Sequence, residues 1–285
     1  MRRSSCPECG HTMIRISWSG LRVHDECKQR SYLARSGKLS TLDNKRGFFP
    51  GTVTDRVVRD WLNNDPESHL GMMPAMVEEI VDREKSALSE QETGVVRWKG
   101  PEDKGHVIKE CQEAVTKIEP LLLQHVVPFE YQPDFHFEAF VMVPNHRTKR
   151  LERVVLNGFM DIIVRDNRSR WSIWDVKHTR DSEYWRQTVP QLGFYDLAVE
   201  LLFGAAAYQT GLMQPLCEEA LKRYQPSSDS RAQLMQRITG MANDIWADIR
   251  TPVVGSGPCG WCATKHACTK FTPVLDAKGR KRMTI

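Results

Sequence analysis

"LNGFMDIIVRDNRSRWSIWDVKHT", residues 156–179, decides how this chain is read. Two runs of apolar and β-branched residues flank Asp166, Asn167, Arg168 and Ser169, a cluster of turn formers, so the stretch predicts a β-hairpin. Each strand carries an aspartate among Ile, Val, Phe and Trp. With the turn centred on Arg168, Asp161 and Asp175 each lie seven residues from the centre and face one another across the strands. The two-residue period then puts Lys177 on the face of Asp175. A buried carboxylate is costly unless it is paired, hydrogen-bonded or bound to a metal, and like charges set directly opposite are destabilising. A divalent cation between the two would offset both costs, and such oxygen ligands suit Mg²⁺ or Mn²⁺. An ion so placed beside a lysine is competent for phosphodiester hydrolysis, because it can polarise a phosphate, lower the pKa of bound water and orient the attack. The plainer alternative is a hairpin edge open to water, with Lys177 paired to one aspartate.

Working outward, "FEYQPDFHFEAFVMVP" (129–144) alternates apolar and polar residues, and together with the hairpin it predicts a β-meander. Upstream, "FFPGTVTDRVVRDWLNN" repeats Val53, Val57, Val58, Trp61 and Leu62 at helical spacing, with Asp55 off the apolar stripe. Helices are expected over 74–90 and 102–126. A serine-initiated helix is expected to run from about Ser17 towards Gly37, with Cys27 on it. Downstream, "SEYWRQTVPQLGFYDLAVELLFG" predicts a helix kinked or restarted at Pro190, followed by a strand within 206–213 and an amphipathic helix over roughly 230–249.

The chain has 285 residues, 40% hydrophobic and 27% charged, as expected of a globular protein rather than a disordered one. It contains neither the run of about 20 apolar residues that crosses a bilayer nor an apolar signal-peptide core, so a cytoplasmic location and no membrane partner are expected. Both ends are basic: residues 1–60 carry twelve Lys/Arg against six Asp/Glu, and 259–285 carry six against one. Such ends suit a polyanion such as nucleic acid, or are simply solvated tails. Eight cysteines in a reducing compartment read as metal ligands or buried thiols. Cys6 and Cys9 stand in "CPECGH", Cys27 in "HDECKQ", and Cys259, Cys262 and Cys268 in "CGWCATKHAC". Cys111 and Cys217 read as core residues.

The ordered series "GFMDIIV", "WDVKHT" and "QLGFYDLAVE" resembles the signature of the PD-(D/E)XK nuclease superfamily in its RecB-like branch: G-x-x-D, then (D/E)-x-K, then Q-x-x-x-Y on a helix. The resemblance runs from about Ser17 to Cys268. It implies an α/β fold with a restriction-endonuclease-like core, a central mixed β-sheet flanked by helices, an N-terminal helical region and a C-terminal cysteine-bearing tail. Four segments are expected: a knuckle-like start (1–16), a helical region (17–128), the nuclease core (129–250) and a basic tail (251–285). By position, Asp161 and Asp175 would be metal ligands, the Val176 carbonyl a third, Lys177 the catalytic lysine, and Gln191 and Tyr195 neighbours of the site. The branch usually places a histidine upstream in G-x-x-x-H. Here Gly51 is followed by Asp55, a candidate ligand or else a surface residue.

A subset of these nucleases, including CRISPR-associated exonucleases and AddB-type subunits, has one cysteine before the core and C-x-x-C-x5-C after it, ligating a [4Fe-4S] cluster. Cys27, Cys259, Cys262 and Cys268 match that order and spacing, and four thiolates also suit zinc. Cys6 and Cys9 are candidates for a second, zinc site. The resemblance thus implies a metal-dependent DNA exonuclease acting on single strands or duplex ends, with recombination or repair proteins, or phage DNA metabolism, as its setting. The alternative is a non-catalytic nucleic-acid-binding or adaptor protein with structural zinc sites.

Overall fold

The computed structural model describes residues 13–36, 49–90, 96–98, 100, 102–249 and 268, with the backbone of 273–275 and 281–283. In chain order these form β1 (Ile14–Ile16), α1 (Trp18–Glu26), α2 (Lys28–Arg35), α3 (Phe49–Asn63), a 3-10 turn (Pro66–His69), α4 (Met73–Glu90) and α5 (Asp103–His125). Then come β2 (Glu130–Pro144), β3 (Leu151–Arg165), β4 (Trp171–Val176), α6 (Trp185–Phe203), β5 (Gln209–Met213), β6 (Leu221–Tyr224), α7 (Ser228–Trp246), β7 (Pro273–Leu275) and β8 (Lys281–Met283). The architecture is α/β, with a mixed sheet ordered β1-β3-β4-β5-β6 and β2 also paired to β3.

Two compact units divide the chain, one of Leu42–Glu138 and Gly158–Leu234, the other of Met1–Thr41, Ala139–Asn157 and Met235–Ile285. In the first, the register of the hairpin is Ile162↔Trp174, Ile163↔Ile173, Val164↔Ser172 and Arg165↔Trp171. The hairpin therefore turns about Arg168, as the sequence predicts. Asp166 closes the turn, its Oδ1 accepting from the backbone N–H groups of Arg168 (2.8 Å) and Arg170 (2.9 Å), while Ser169 takes the left-handed conformation at φ 59°.

β4 pairs in parallel with β5, and α6 makes the crossover that parallel strands require. Leu192, Phe194, Leu197, Ala198 and Val199 are all buried along α6, as expected of a helix apolar on most faces. The helix continues through Pro190, which has no N–H to give the Arg186 carbonyl and so removes one bond of the ladder. It ends at Gly204, whose φ of 77° is the left-handed cap that glycine adopts freely. Gly211 on β5 lies opposite Trp174, and a Cβ there would fall 2.2 Å from Trp174 Cζ3. The glycine is thus what lets the indole lie across the sheet.

Helices α3, α4 and α5 bury Val53, Val57 and Trp61, Val77 and Ile80, and Val115, Ile118 and Leu122 against Ile162, Val164, Trp174 and Met213. Each such side chain contributes about 1.5–3 kcal/mol of burial. This packing fixes α3 relative to the hairpin, and so sets the carboxylates that both carry.

In the second unit β1 runs parallel to the first half of β3, with Ile14↔Val154 and Ile16↔Leu156. Ser17 caps α1 through its Oγ, which accepts from Gly20 N at 3.2 Å. The helix expected over Ser17–Gly37 is broken at Cys27, whose backbone is extended (φ −166°, ψ 112°) and whose Sγ accepts from Arg30 N at 3.4 Å. Cys27 thus joins two helices rather than riding on one. Asp244 of α7 meets His24 Nε2 at 3.1 Å and Lys28 Nζ at 2.7 Å, on either side of that joint. Cys6, Cys9, Cys259 and Cys262 lie outside the described residues. Among the described residues no helix is long and apolar enough to cross a membrane.

Candidate active site

Asp161 and Asp175 stand one step beyond the last paired residues of the hairpin, where the strands begin to separate. Asp161 uses that opening: its Oδ2 accepts from the Val176 N–H at 2.8 Å, so a side chain continues the ladder. Asp175 is fully buried. Lys177 Nζ lies 2.6 Å from Asp175 Oδ2 and 3.7 Å from Asp161 Oδ2, and it donates to the Val176 carbonyl at 3.3 Å. Its backbone N–H donates to Met213 O of β5 at 2.9 Å, which pins the segment to the sheet.

From α6, one helical turn apart, come Gln191 and Tyr195. Gln191 Nε2 donates to Asp175 Oδ1 at 3.2 Å and to Tyr195 Oη at 2.7 Å. Burial holds the Tyr195 phenol above its ordinary pKa, so it stays protonated. Asp55, on the second turn of α3, lines a cavity of about 670 Å³ together with Asp161, Val176 and Lys177. The sequence-predicted residues of the core are therefore brought together: four on the cavity wall, with Asp175, Gln191 and Tyr195 behind it.

Burial raises the Asp175 carboxyl to about 7, against the opposing pull of Lys177 and with the help of Asp161. Asp55 is open to the cavity, yet protein surrounds its carboxyl on the other sides. That burial first, and the Asp161 charge second, push it up to about 7. Lys177 moves upward as well, because the two aspartates outweigh its burial, so it is held as an ammonium.

These residues fit a hard divalent cation. The buried Asp175 Oδ2 has the Lys177 ammonium at 2.6 Å as a countercharge, burial holds the Asp175 and Asp55 carboxyls above their ordinary pKa, and carboxylate oxygens are the ligands such an ion takes. Among the described residues no three His, Cys, Asp or Glu side chains are grouped closely enough to enclose an ion by themselves. Mg²⁺ does not need such a group, since it keeps several waters and takes one or two carboxylates.

Two residues of this wall, His178 and Glu110, together with the buried Thr54, have no role in the sequence motifs. His178 Nδ1 lies 2.8 Å from Thr54 Oγ1, and its Nε2 lies 3.2 Å from Glu110 Oε1. His178 directly follows the lysine and Thr54 directly precedes Asp55, so adjacency was a signal for both. Glu110 had none.

A mixed sheet with one aspartate within β3, a second near the end of β4 with a lysine two residues on, and α6 packed behind them, is the arrangement of a restriction-endonuclease-like protein. The chain belongs to the PD-(D/E)XK nuclease superfamily, whose family model matches residues 15–269. Nucleases of this superfamily generally use divalent metals such as Mg²⁺ or Mn²⁺. A "Putative exonuclease" from Eubacterium rectale is similar in fold, with a TM-score of 0.52 at 10% identity over 91% of this chain and 90% of its own. The crystal structure of SSO0001 aligns with 69% of this chain and 81% of its own at 15% identity, with a TM-score of 0.36. No curated protein matches the chain.

Proposed function

We propose that this nuclease is a metal-dependent exodeoxyribonuclease that hydrolyses phosphodiester bonds of single-stranded DNA or duplex ends, in recombination, repair or phage DNA metabolism. The observation that carries the reading is the Lys177 ammonium at 2.6 and 3.7 Å from two aspartates at the wall of an open cavity. The fold likeness to a protein named as an exonuclease supports that mode of cleavage. Asp161 and Asp175 with the Val176 carbonyl would hold Mg²⁺ or Mn²⁺, with Asp55 of α3 a candidate further ligand. When bound, the ion supplies charge neutralisation at the phosphate and acidifies water. Lys177, kept charged by its neighbours, stabilises negative charge on the scissile phosphate rather than acting as a base. Gln191 fixes the Asp175 carboxylate through its amide, and Tyr195 anchors Gln191. Basic residues draw DNA in through its phosphates, so binding weakens as salt rises.

In the same reading Cys27, Cys259, Cys262 and Cys268 ligate a [4Fe-4S] cluster. The order and spacing of the cysteines support it, as does the partly accessible thiol of Cys27 at a helix joint.

The test is to assay Asp161→Ala and Lys177→Ala beside the parent on end-labelled single- and double-stranded DNA with Mg²⁺ or Mn²⁺. Loss of cleavage in both folded variants is expected, and full activity in both refutes the assignment. Release of mononucleotides or short products from ends separates exonuclease from endonuclease. Iron and acid-labile sulfide measured on anaerobically purified protein should both be present, whereas a colourless zinc protein overturns the cluster.

A further inference from the structure

His178, Thr54 and Glu110 make a connection that crosses the cavity wall. Thr54 sits on α3 next to Asp55, and His178 sits at the end of β4 next to Lys177. The Thr54 Oγ1 to His178 Nδ1 contact, at 2.8 Å, links these two segments directly through side chains. The imidazole is 5% exposed and its Nε2 faces Glu110 Oε1 of α5 at 3.2 Å, in a direction off the ideal hydrogen-bond line. A carboxylate only accepts, so the proton belongs on Nε2, and Nδ1 accepts from the threonine hydroxyl.

Gly51, one turn before Asp55, lies against the same histidine. A Cβ there would stand 3.8 Å from His178 Cβ, an ordinary contact. The His178 side chain therefore leaves the backbone beside the first turn of α3 and reaches Thr54 on the next. The carboxylate that departs from the family's usual histidine is on the helix this contact positions.

We infer that His178 is a positioning residue of the nuclease site: by joining Thr54 on α3 to Glu110 on α5 it sets how close Asp55 stands to Asp161 and Lys177, and so sets affinity for the divalent ion. The inference rests on the metal-dependent reading above. His178 touches neither phosphate nor ion in this role. Its loss should weaken metal binding and leave cleavage at saturating metal nearly intact, whereas loss of a ligand abolishes both. Groups that orient ligands in this way typically change metal affinity by about 10- to 100-fold.

The experiment measures Mn²⁺ binding to the full chain by the electron paramagnetic resonance of free Mn²⁺, without DNA. It compares the parent, His178→Ala, His178→Asn, Thr54→Val and Asp161→Ala, with folding followed by circular dichroism. His178→Ala and Thr54→Val should raise the Mn²⁺ Kd by about 10-fold or more. His178→Asn, whose amide oxygen can still accept from Thr54, should recover most of the loss. The metal concentration at half-maximal cleavage should rise in parallel with Kd while kcat stays within about threefold. Kd values within twofold of the parent for both His178→Ala and folded Thr54→Val overturn the inference, even if Asp161→Ala abolishes binding. If the parent itself binds no Mn²⁺, or Asp161→Ala binds as the parent does, the metal reading fails and takes the inference with it.

Discussion

Asp175→Asn should make the metal-free protein more stable at alkaline pH, for a reason the burial of the site supplies. Asp175 is fully buried and its carboxyl is raised from an ordinary 3.8 to about 7. A carboxyl with raised pKa holds its proton more tightly when folded than when unfolded, so stability falls as pH rises between the two values and is level outside them. Each decade of proton affinity is worth about 1.36 kcal/mol. Ionising Asp175 in the folded chain therefore costs about 4 kcal/mol once the pH passes 7. Asparagine has the same shape and no charge to lose. The variant should match the parent near pH 4 and exceed it by about 4 kcal/mol at pH 8. Urea unfolding in EDTA at pH 4, 5, 6, 7 and 8 gives the difference. Subtracting the two curves removes His24, His125 and His178, whose burial-lowered pKa values slope the other way below pH 6.5 in both proteins. Added Mn²⁺ should narrow the difference at pH 8, because it stabilises only a chain that binds it. An Asp175→Asn protein less stable than the parent at pH 8 in EDTA, or a difference that does not change with pH, refutes the reasoning.

Lys177→Met removes an ammonium that stands within 3.7 Å of both aspartates. It should lower cleavage by about 100- to 1,000-fold without raising the Mn²⁺ Kd, and a tenfold rise in Kd would contradict the role given to the lysine. Gly211→Ala drives a methyl to 2.2 Å from Trp174 Cζ3 and 3.1 Å from the Lys222 carbonyl, and should cost about 3 kcal/mol in urea unfolding. Arg231→Met strands the buried Asp196, which its guanidinium meets at 2.5 Å, and should cost about 3–5 kcal/mol at pH 7.5. The loss should shrink at pH 5, because burial already raises the Asp196 pKa and the carboxyl can take up a proton. An equal loss at both pH values would mean that the charge is not what matters there.

How much of this was legible in the sequence depended on the range of the interactions involved. The hairpin register followed from local chemistry: turn formers around Arg168 and a two-residue period place Asp161 and Asp175 at matching ends, and Ile162↔Trp174 bears the same centre. Helices α3, α4 and α5 were readable because each repeats an apolar stripe over several turns. The three-residue β1 and four-residue β6 are too short for any period to show, and their pairing partners supply the reason they are strands. Cys27 was misplaced because nothing in "HDECKQ" breaks a helix by propensity; the break shows instead in its extended backbone. The Thr54–His178 and His178–Glu110 contacts join residues 124 and 68 positions apart, so no local pattern could disclose them.

Two acids in an apolar hairpin need a countercharge, which a metal or Lys177 can supply. In the folded chain Lys177 already supplies the countercharge, and the period of a β-strand is what delivers it: two residues after Asp175 is the nearest position whose side chain returns to the same face. A lysine at any odd spacing would leave on the other side of the sheet and strand Asp175 in the core. The compensation is partial, since Asp175 still holds its proton to about 7 and Asp55 does likewise. The hairpin can therefore form without an ion, while its carboxylate oxygens are the ligands such an ion takes. The ammonium that makes folding tolerable is the same group that faces the cavity where a phosphate would enter, so the D-x-K spacing serves stability and chemistry through one side chain.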